Sequence, residues 1–460
     1  MIKKITLFFC FFIIAFSVNA QENYSVDIEI KGVEEGHQIY LGLQRGAAIM
    51  PIDSALLKDG KISFQLDTSA VKGIYRLILN DSTFLDVIFN KENISLKTDN
   101  SLSWDKTAVL TSEENRLLCL YYQNSQKMDD KIDAFMEEGQ LLYEEDPINN
   151  QDKLLALKDS IFLCEKQKNA MAESIMKKNP QRFAAKYIIA QTLPVYTEKV
   201  KNNYKSEFAF LQEHFFDNID FTENAFVQTG VLFYAMQDYL SNFVQPRNTE
   251  QYIKAVDKIL ALSADGQENY SYCLEILMRT FEQSPFEDVY IYIVENYYFH
   301  LNCNAEDETM GVKEKLQAIK SIKLGAIAPD IQLKDSLNNN YSLYDTEAKA
   351  ILVVFWASWC DHCQKEIPQL KRLYEKYKPK GFEIFAVGIE SNPTSWKKML
   401  KEHNLSWINL SDFSAFQSKA AKEYHIWQTP SYFLLDEEKK IHSRPISPGQ
   451  IESDLIEILF

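Results

Sequence analysis

Eight consecutive apolar residues, Ala350 to Ala357, run directly into Ser358-Trp359-Cys360-Asp361-His362-Cys363. This is the strongest constraint in the chain. An apolar run without polar interruption fits a strand covered on both faces. Ile367, Leu370, Leu373, Tyr374 and Tyr377 then recur along one side of a helix. Phe382 to Ile389 reads as a second buried strand, and Trp396 to His403 and Ala415 to Tyr424 read as helices. Tyr432 to Leu435 and Ile441 to Ser443 pair across Asp436 to Lys440, and Gln450 to Leu459 closes with a helix. Strands alternating with helical crossovers, followed by a hairpin, predict an α/β domain over residues 320–460.

Two cysteines three apart at a strand-to-helix junction carry chemistry. Cys360 falls at the helix N-terminus, where unpaired backbone N–H groups and the helix dipole favour thiolate over thiol. Cys363 lies one turn inward. Cys360 is therefore read as the attacking sulfur and Cys363 as the resolving one. His362 favours the Cys360 thiolate and Asp361 opposes it. Two rival readings are a zinc site and a purely structural disulfide. Zinc needs about four ligands, and no second cysteine pair has metal spacing; the strand–C-x-x-C–helix setting favours redox use. No metal or bound cofactor is expected.

The rest of the chain divides into two further zones. Alternating stretches at Tyr24–Ile30, Gln38–Leu41, Lys61–Leu66, Ile74–Leu79, Leu85–Phe89 and Ile94–Leu96 predict a small antiparallel β-domain, sandwich-like, over residues 21–100. Residues 101–319 read as an all-helical domain, with Leu117, Leu118, Tyr121 and Tyr122 at helix spacing and Thr222 and Asn248 as N-caps. At the start, Lys3 and Lys4, the apolar run Ile5 to Phe16 and Val18-Asn19-Ala20 read as a signal peptide over residues 1–20. The run is shorter than the roughly 20 residues that span a bilayer. A periplasmic protein without stable membrane insertion is expected, in a compartment where disulfides form. A formal net charge of −16 argues against nucleic-acid partners, which need a basic face.

Residues 324–460 resemble the TlpA/ResA-like thiol–disulfide oxidoreductases of the thioredoxin superfamily. The resemblance rests on Gly325-Ala326-Ile327-Ala328-Pro329-Asp330, Val354-Phe355-Trp356-Ala357-Ser358-Trp359-Cys360, Cys363-Gln364-Lys365-Glu366-Ile367-Pro368 and Thr429-Pro430-Ser431-Tyr432-Phe433-Leu434-Leu435-Asp436. It implies a thioredoxin-like fold, with Pro430 cis beside the thiols and Thr429 pairing with a bound substrate strand. It also implies that Glu366 moves the proton of Cys363, that Trp359 covers the site, and that Pro368 kinks the helix. Many family members carry Pro between the cysteines where this chain has Asp361 and His362, so redox direction does not follow from the motif. The first two zones resemble, less specifically, uncharacterised domains that precede such modules in secreted bacterial proteins, through Gly32 to Asn100, Phe215 to Phe221 and Asp288 to Tyr292.

These readings predict an exported oxidoreductase, a reductant, whose partners are client proteins with thiols or disulfides and an upstream redox protein. The alternative is a client- or surface-binding module in which the thiol domain is accessory. A thiol peroxidase needs Thr or Ser three residues before the attacking cysteine, and that position holds Ala357. Cys119, Cys164, Cys273 and Cys303 read as buried thiols, with Cys273–Cys303 the favoured pair if one disulfide forms. His300 and Cys303, three apart, are too few ligands for a metal site.

Overall fold

The computed structural model describes residues 23–301 and 306–460. The signal-peptide reading and Cys303 fall outside them. The chain divides into two compact units, Met1–Ile276 and Leu277–Phe460.

The first unit opens with β1 (Tyr24–Lys31), β2 (Gln38–Arg45), β3 (Ala48–Leu56), β4 (Lys61–Leu66), β5 (Gly73–Asn80), β6 (Thr83–Phe89), β7 (Ile94–Asp99) and β8 (Ala108–Thr111). They form two four-stranded sheets, ordered β4-β1-β7-β8 and β3-β2-β5-β6. Every second residue of β1 points inward, so Val26, Ile28 and Ile30 share one core with Ile39 and Leu41 of the other sheet. One pairing departs from the antiparallel expectation: β1 and β7 run parallel, because the chain crosses from the second sheet and returns beside β1. The β-structure also continues past Asn100, to Thr111.

The edge strand β3 was not legible in the sequence. It is mostly exposed, so it lacks alternation, and Pro51 sits beside the register shift opposite Leu41 and Gly42. Proline is tolerated at such edges and bulges because its missing N–H is not needed.

Two long helices follow, Glu113–Glu145 and Gln151–Lys178. The short connection makes them antiparallel neighbours, and Lys168 Nζ reaches Asp129 Oδ1 at 2.6 Å. Buried polar groups anchor the first helix to the sheets. Asn115 accepts from the Ile88 N–H at 2.9 Å and donates to the Ile88 carbonyl at 2.8 Å. Asn248 caps the helix Thr249–Ser263 as anticipated, accepting from the Gln251 N–H. Thr222 does not cap a helix: its hydroxyl is turned back to Asp220, and a 3-10 turn, Asn224–Gln228, follows instead.

The second unit begins inside the helix Gln267–Glu282, earlier than residue 320, where the alternating strand and helix pattern starts. Side chains explain the difference. Arg444 pairs with Glu287 at 2.6 Å, and His425 bonds the Glu282 carbonyl at 2.9 Å. The last helices before residue 322 thus pack into the C-terminal α/β structure.

That structure holds the two-stranded β9 (Gln332–Lys334) and β10 (Asn340–Ser342), and a five-stranded sheet of β11 (Ala350–Trp356), β12 (Phe382–Gly388), β13 (Ile408–Leu410), β14 (Ser431–Asp436) and β15 (Ile441–Ser443). The order is β13-β12-β11-β14-β15, with β11, β12 and β13 parallel and β14 antiparallel to both neighbours. Along β11, Ala350, Leu352, Val354 and Trp356 enter one core, and Ile351, Val353 and Phe355 enter the other. Period-2 geometry thus explains why the run had to be apolar throughout. The helices Asp361–Tyr377 and Pro448–Leu459 cover the first face. This is a thioredoxin-like α/β domain. The helix expected over Ala415–Tyr424 is a 3-10 turn and a short helix, Lys419–Glu423, broken at Ser418.

Candidate active site

The central strand delivers the chain to its end at Trp356, and the turn Ala357–Trp359 reverses it into the helix Asp361–Tyr377. Four backbone anchors fix this turn. The Ile389 N–H donates to the Trp356 carbonyl at 2.7 Å, and the Cys360 N–H to Ala357 at 3.2 Å. Gln364 Nε2 donates to the Ser358 carbonyl at 2.7 Å, and the Ser358 N–H donates to Glu390 Oε1.

Cys360 is the N-cap. Its Sγ accepts from the Cys363 N–H at 3.2 Å, at the positive end of the helix. Its thiol donates to the Thr429 carbonyl at 3.4 Å. The two cysteines are unbonded thiols. Cys360 is 8% exposed and Cys363 2%, so Cys360 is the outer sulfur. Burial is the first cause that pushes the Cys363 thiol well up, and the bond with Cys360 adds to it. Loss of the Cys363 proton therefore needs a nearby acceptor.

The other predicted residues sort by position. The Thr429–Pro430 peptide is cis. Pro430 and Cys363 line one small apolar cavity with Trp356, Ile367 and Tyr432. Glu366 is half-buried in the second turn of the helix, and its Oε2 accepts from the Tyr432 hydroxyl. Asp361 and His362 are exposed on the first turn. Trp359 is 57% exposed, with its ring 6.4 Å from Phe416, so it forms part of the rim. Pro368 lies within the helix on its exposed side.

Two residues at the site escaped the sequence reading. Tyr432 follows Pro430 by two in a strand, so it shares Pro430's face; that register was the available signal. Glu390 is an acid at the end of an apolar run and is 1% exposed. Burial raises its carboxyl above the ordinary 4.5. The sign follows: the native state holds this proton more tightly than the unfolded chain, so the stability contribution is complete below 4.5 and is lost as pH rises through the folded-state value. Glu390→Gln keeps an acceptor for the Ser358 N–H and removes the charge. The wild type is expected to lose stability relative to Glu390→Gln across that window, read as urea midpoints over a pH series. A constant gap between the two would refute the assignment.

Outside the pair, Cys119, Cys164 and Cys273 are buried free thiols, and burial pushes Cys273 up to about 12. Cys303, the partner suggested for Cys273, lies outside the described residues. Among the described residues there is no cluster of metal-ligating side chains, and no helix is long and apolar enough to cross a membrane.

A family model described as the AhpC/TSA family matches residues 324–444, and one described as a domain of unknown function, DUF4369, matches residues 24–118. Thiol-disulfide oxidoreductase ResA of a Bacillus cereus strain is 31% identical over 129 residues, covering 28% of this chain and 69% of the relative. ResA of Geobacillus kaustophilus is 30% identical over 138 residues, covering 29% and 78%. Among solved structures, a thioredoxin-like protein from Bacteroides caccae is 21% identical with a TM-score of 0.43, covering 58% of this chain and 98% of that one.

Proposed function

Because the chain belongs to the ResA-like thiol–disulfide oxidoreductases of the thioredoxin superfamily, we propose that it is exported and reduces disulfides of client proteins through Cys360 and Cys363. The observation that carries this reading is Cys360 Sγ at the helix N-cap, 3.2 Å from the Cys363 N–H and 3.4 Å from the Thr429 carbonyl.

The Cys360 thiolate attacks a client disulfide. A Cys360–client S–S bond forms, and the client's other sulfur leaves as a thiolate and takes up a proton. Cys363 then gives its proton to Glu366 and attacks Cys360 Sγ. The Cys360–Cys363 bond forms, and the second client sulfur leaves. The client gains two electrons and the protein pair loses two; an upstream dithiol protein returns them. Thr429 and Pro430 seat the client strand beside the sulfurs, and Trp359, Asp361 and His362 meet the client at the rim.

Equilibration of the pair with thiol buffers of known potential tests the direction. A value near about −270 mV supports a reductant, and one near about −120 mV overturns that direction.

One observation favours the rival reading, recognition by the first unit. A cavity of about 560 Å³ there is lined by Arg76, Asp86, Tyr122, Tyr187, Gln191 and Tyr234. Its floor is built: Arg76 grips Asp86 through two bonds at 2.6 and 2.7 Å, and Tyr122 donates to Gln191 at 3.3 Å. Under that reading client capture survives the loss of both thiols.

A further inference from the structure

Tyr432 has no counterpart in the roles assigned so far. It is 4% exposed, on β14 opposite Val354, and two residues beyond the cis Pro430. Its hydroxyl donates to Glu366 Oε2, across 66 residues of sequence. Its ring lines the cavity that also holds Cys363 and Pro430. Burial first, then the bond to Glu366 and the neighbouring charges of Glu366, Cys363 and Cys360, keep the phenol protonated. Tyr432 therefore acts as a donor throughout the working pH range. The titratable groups that meet here are Cys360, Cys363 and Glu366 from the active-site turn and helix, and Tyr432 from β14.

We infer that Tyr432 is a positioning residue whose hydroxyl aims the Glu366 carboxylate at Cys363 and sets how readily it takes the inner thiol's proton. This rests on the disulfide-exchange reading above. The physical reason is specific. A half-buried carboxylate that accepts a hydrogen bond is stabilised in its charged form and is fixed in orientation. Without that donor, Glu366 turns freely and is no longer fixed in orientation. Proton removal from Cys363 is then poorly aligned. The attack by Cys360 on the client does not use this contact, so only the resolving step suffers. In that step the proton moves from Cys363 Sγ to a Glu366 oxygen as the S–S bond to Cys360 forms and the client sulfur departs.

The test separates the two steps in the full chain. Oxidised model peptide is mixed with reduced protein, and formation and decay of the Cys360–peptide disulfide are followed by acid quench and mass spectrometry over a pH series. Tyr432→Phe is expected to form the mixed disulfide at the wild-type rate. It is expected to resolve it roughly 10–100-fold more slowly, the effect of losing a hydrogen bond to a charged group. A second variant keeps both ring and donor: 3,5-difluorotyrosine at position 432 should resolve the mixed disulfide within a few-fold of the wild-type rate, a rescue that separates the hydroxyl from the packing of the ring. Resolution by Tyr432→Phe at the wild-type rate, or difluorotyrosine resolving as slowly as Phe, would overturn the inference. If the wild type itself forms no mixed disulfide, the exchange reading fails first and the inference falls with it.

Discussion

Cys360→Ser is expected to bring disulfide exchange down to the uncatalysed background, and Cys363→Ser to halt it at a covalent Cys360–client intermediate. The asymmetry follows from placement. Only Cys360 sits at the helix N-cap as the outer sulfur, with the Cys363 N–H directed at it. A serine hydroxyl at position 360 accepts the same N–H but does not attack a disulfide at neutral pH, because its proton is held far too tightly. Cys363 is the more buried thiol and is held protonated chiefly by that burial. Its substitution leaves the first attack intact and removes the second. Insulin reduction measures the first variant, and a non-reducing gel shows the second as a trapped adduct. A double Ser variant that reduces insulin at the wild-type rate would end the proposal.

Phe355→Ala is expected to destabilise the second unit by about 3–5 kcal/mol, the usual cost of a large aromatic removed from a packed core. Phe355 is fully buried in the central strand, with its ring 5.1 Å from Tyr424 and 6.1 Å from Phe433. Those rings come from the short helix region and from β14, so the cavity would loosen both walls of the layer behind the active-site turn. Domains are stable by only about 5–15 kcal/mol in total, so this single loss is a large fraction. Five of the six tryptophans, Trp356, Trp359, Trp396, Trp407 and Trp427, lie in this unit. Tryptophan fluorescence during urea unfolding therefore reports mainly on it. A change below about 1 kcal/mol would mean that the core relaxes around the gap, against close packing of this layer.

Much of the active-site region was legible because its determinants are local. An apolar run with no break forces a strand covered on both sides, and a helix starting at the cysteines forces one sulfur outward and one inward. Asn248 as a cap was legible for the same reason, since a cap acts on the N–H three residues on. The failures share a cause as well. Strand β3 has no inward face to imprint alternation on its sequence. Thr222 had the right chemistry for a cap but found a nearer acceptor in Asp220.

What the sequence alone determined was the order of strands and helices around the thiols and the unequal standing of Cys360 and Cys363. Periodicity and helix ends are properties of neighbours along the chain. Tertiary structure alone decided that Tyr432 bonds Glu366, that Glu390 holds Ser358 from 32 residues away, and that the helices before residue 322 belong with the C-terminal sheet. Those partners meet only because sheet register and core packing carry distant residues to one place, and no spacing along the chain encodes that meeting.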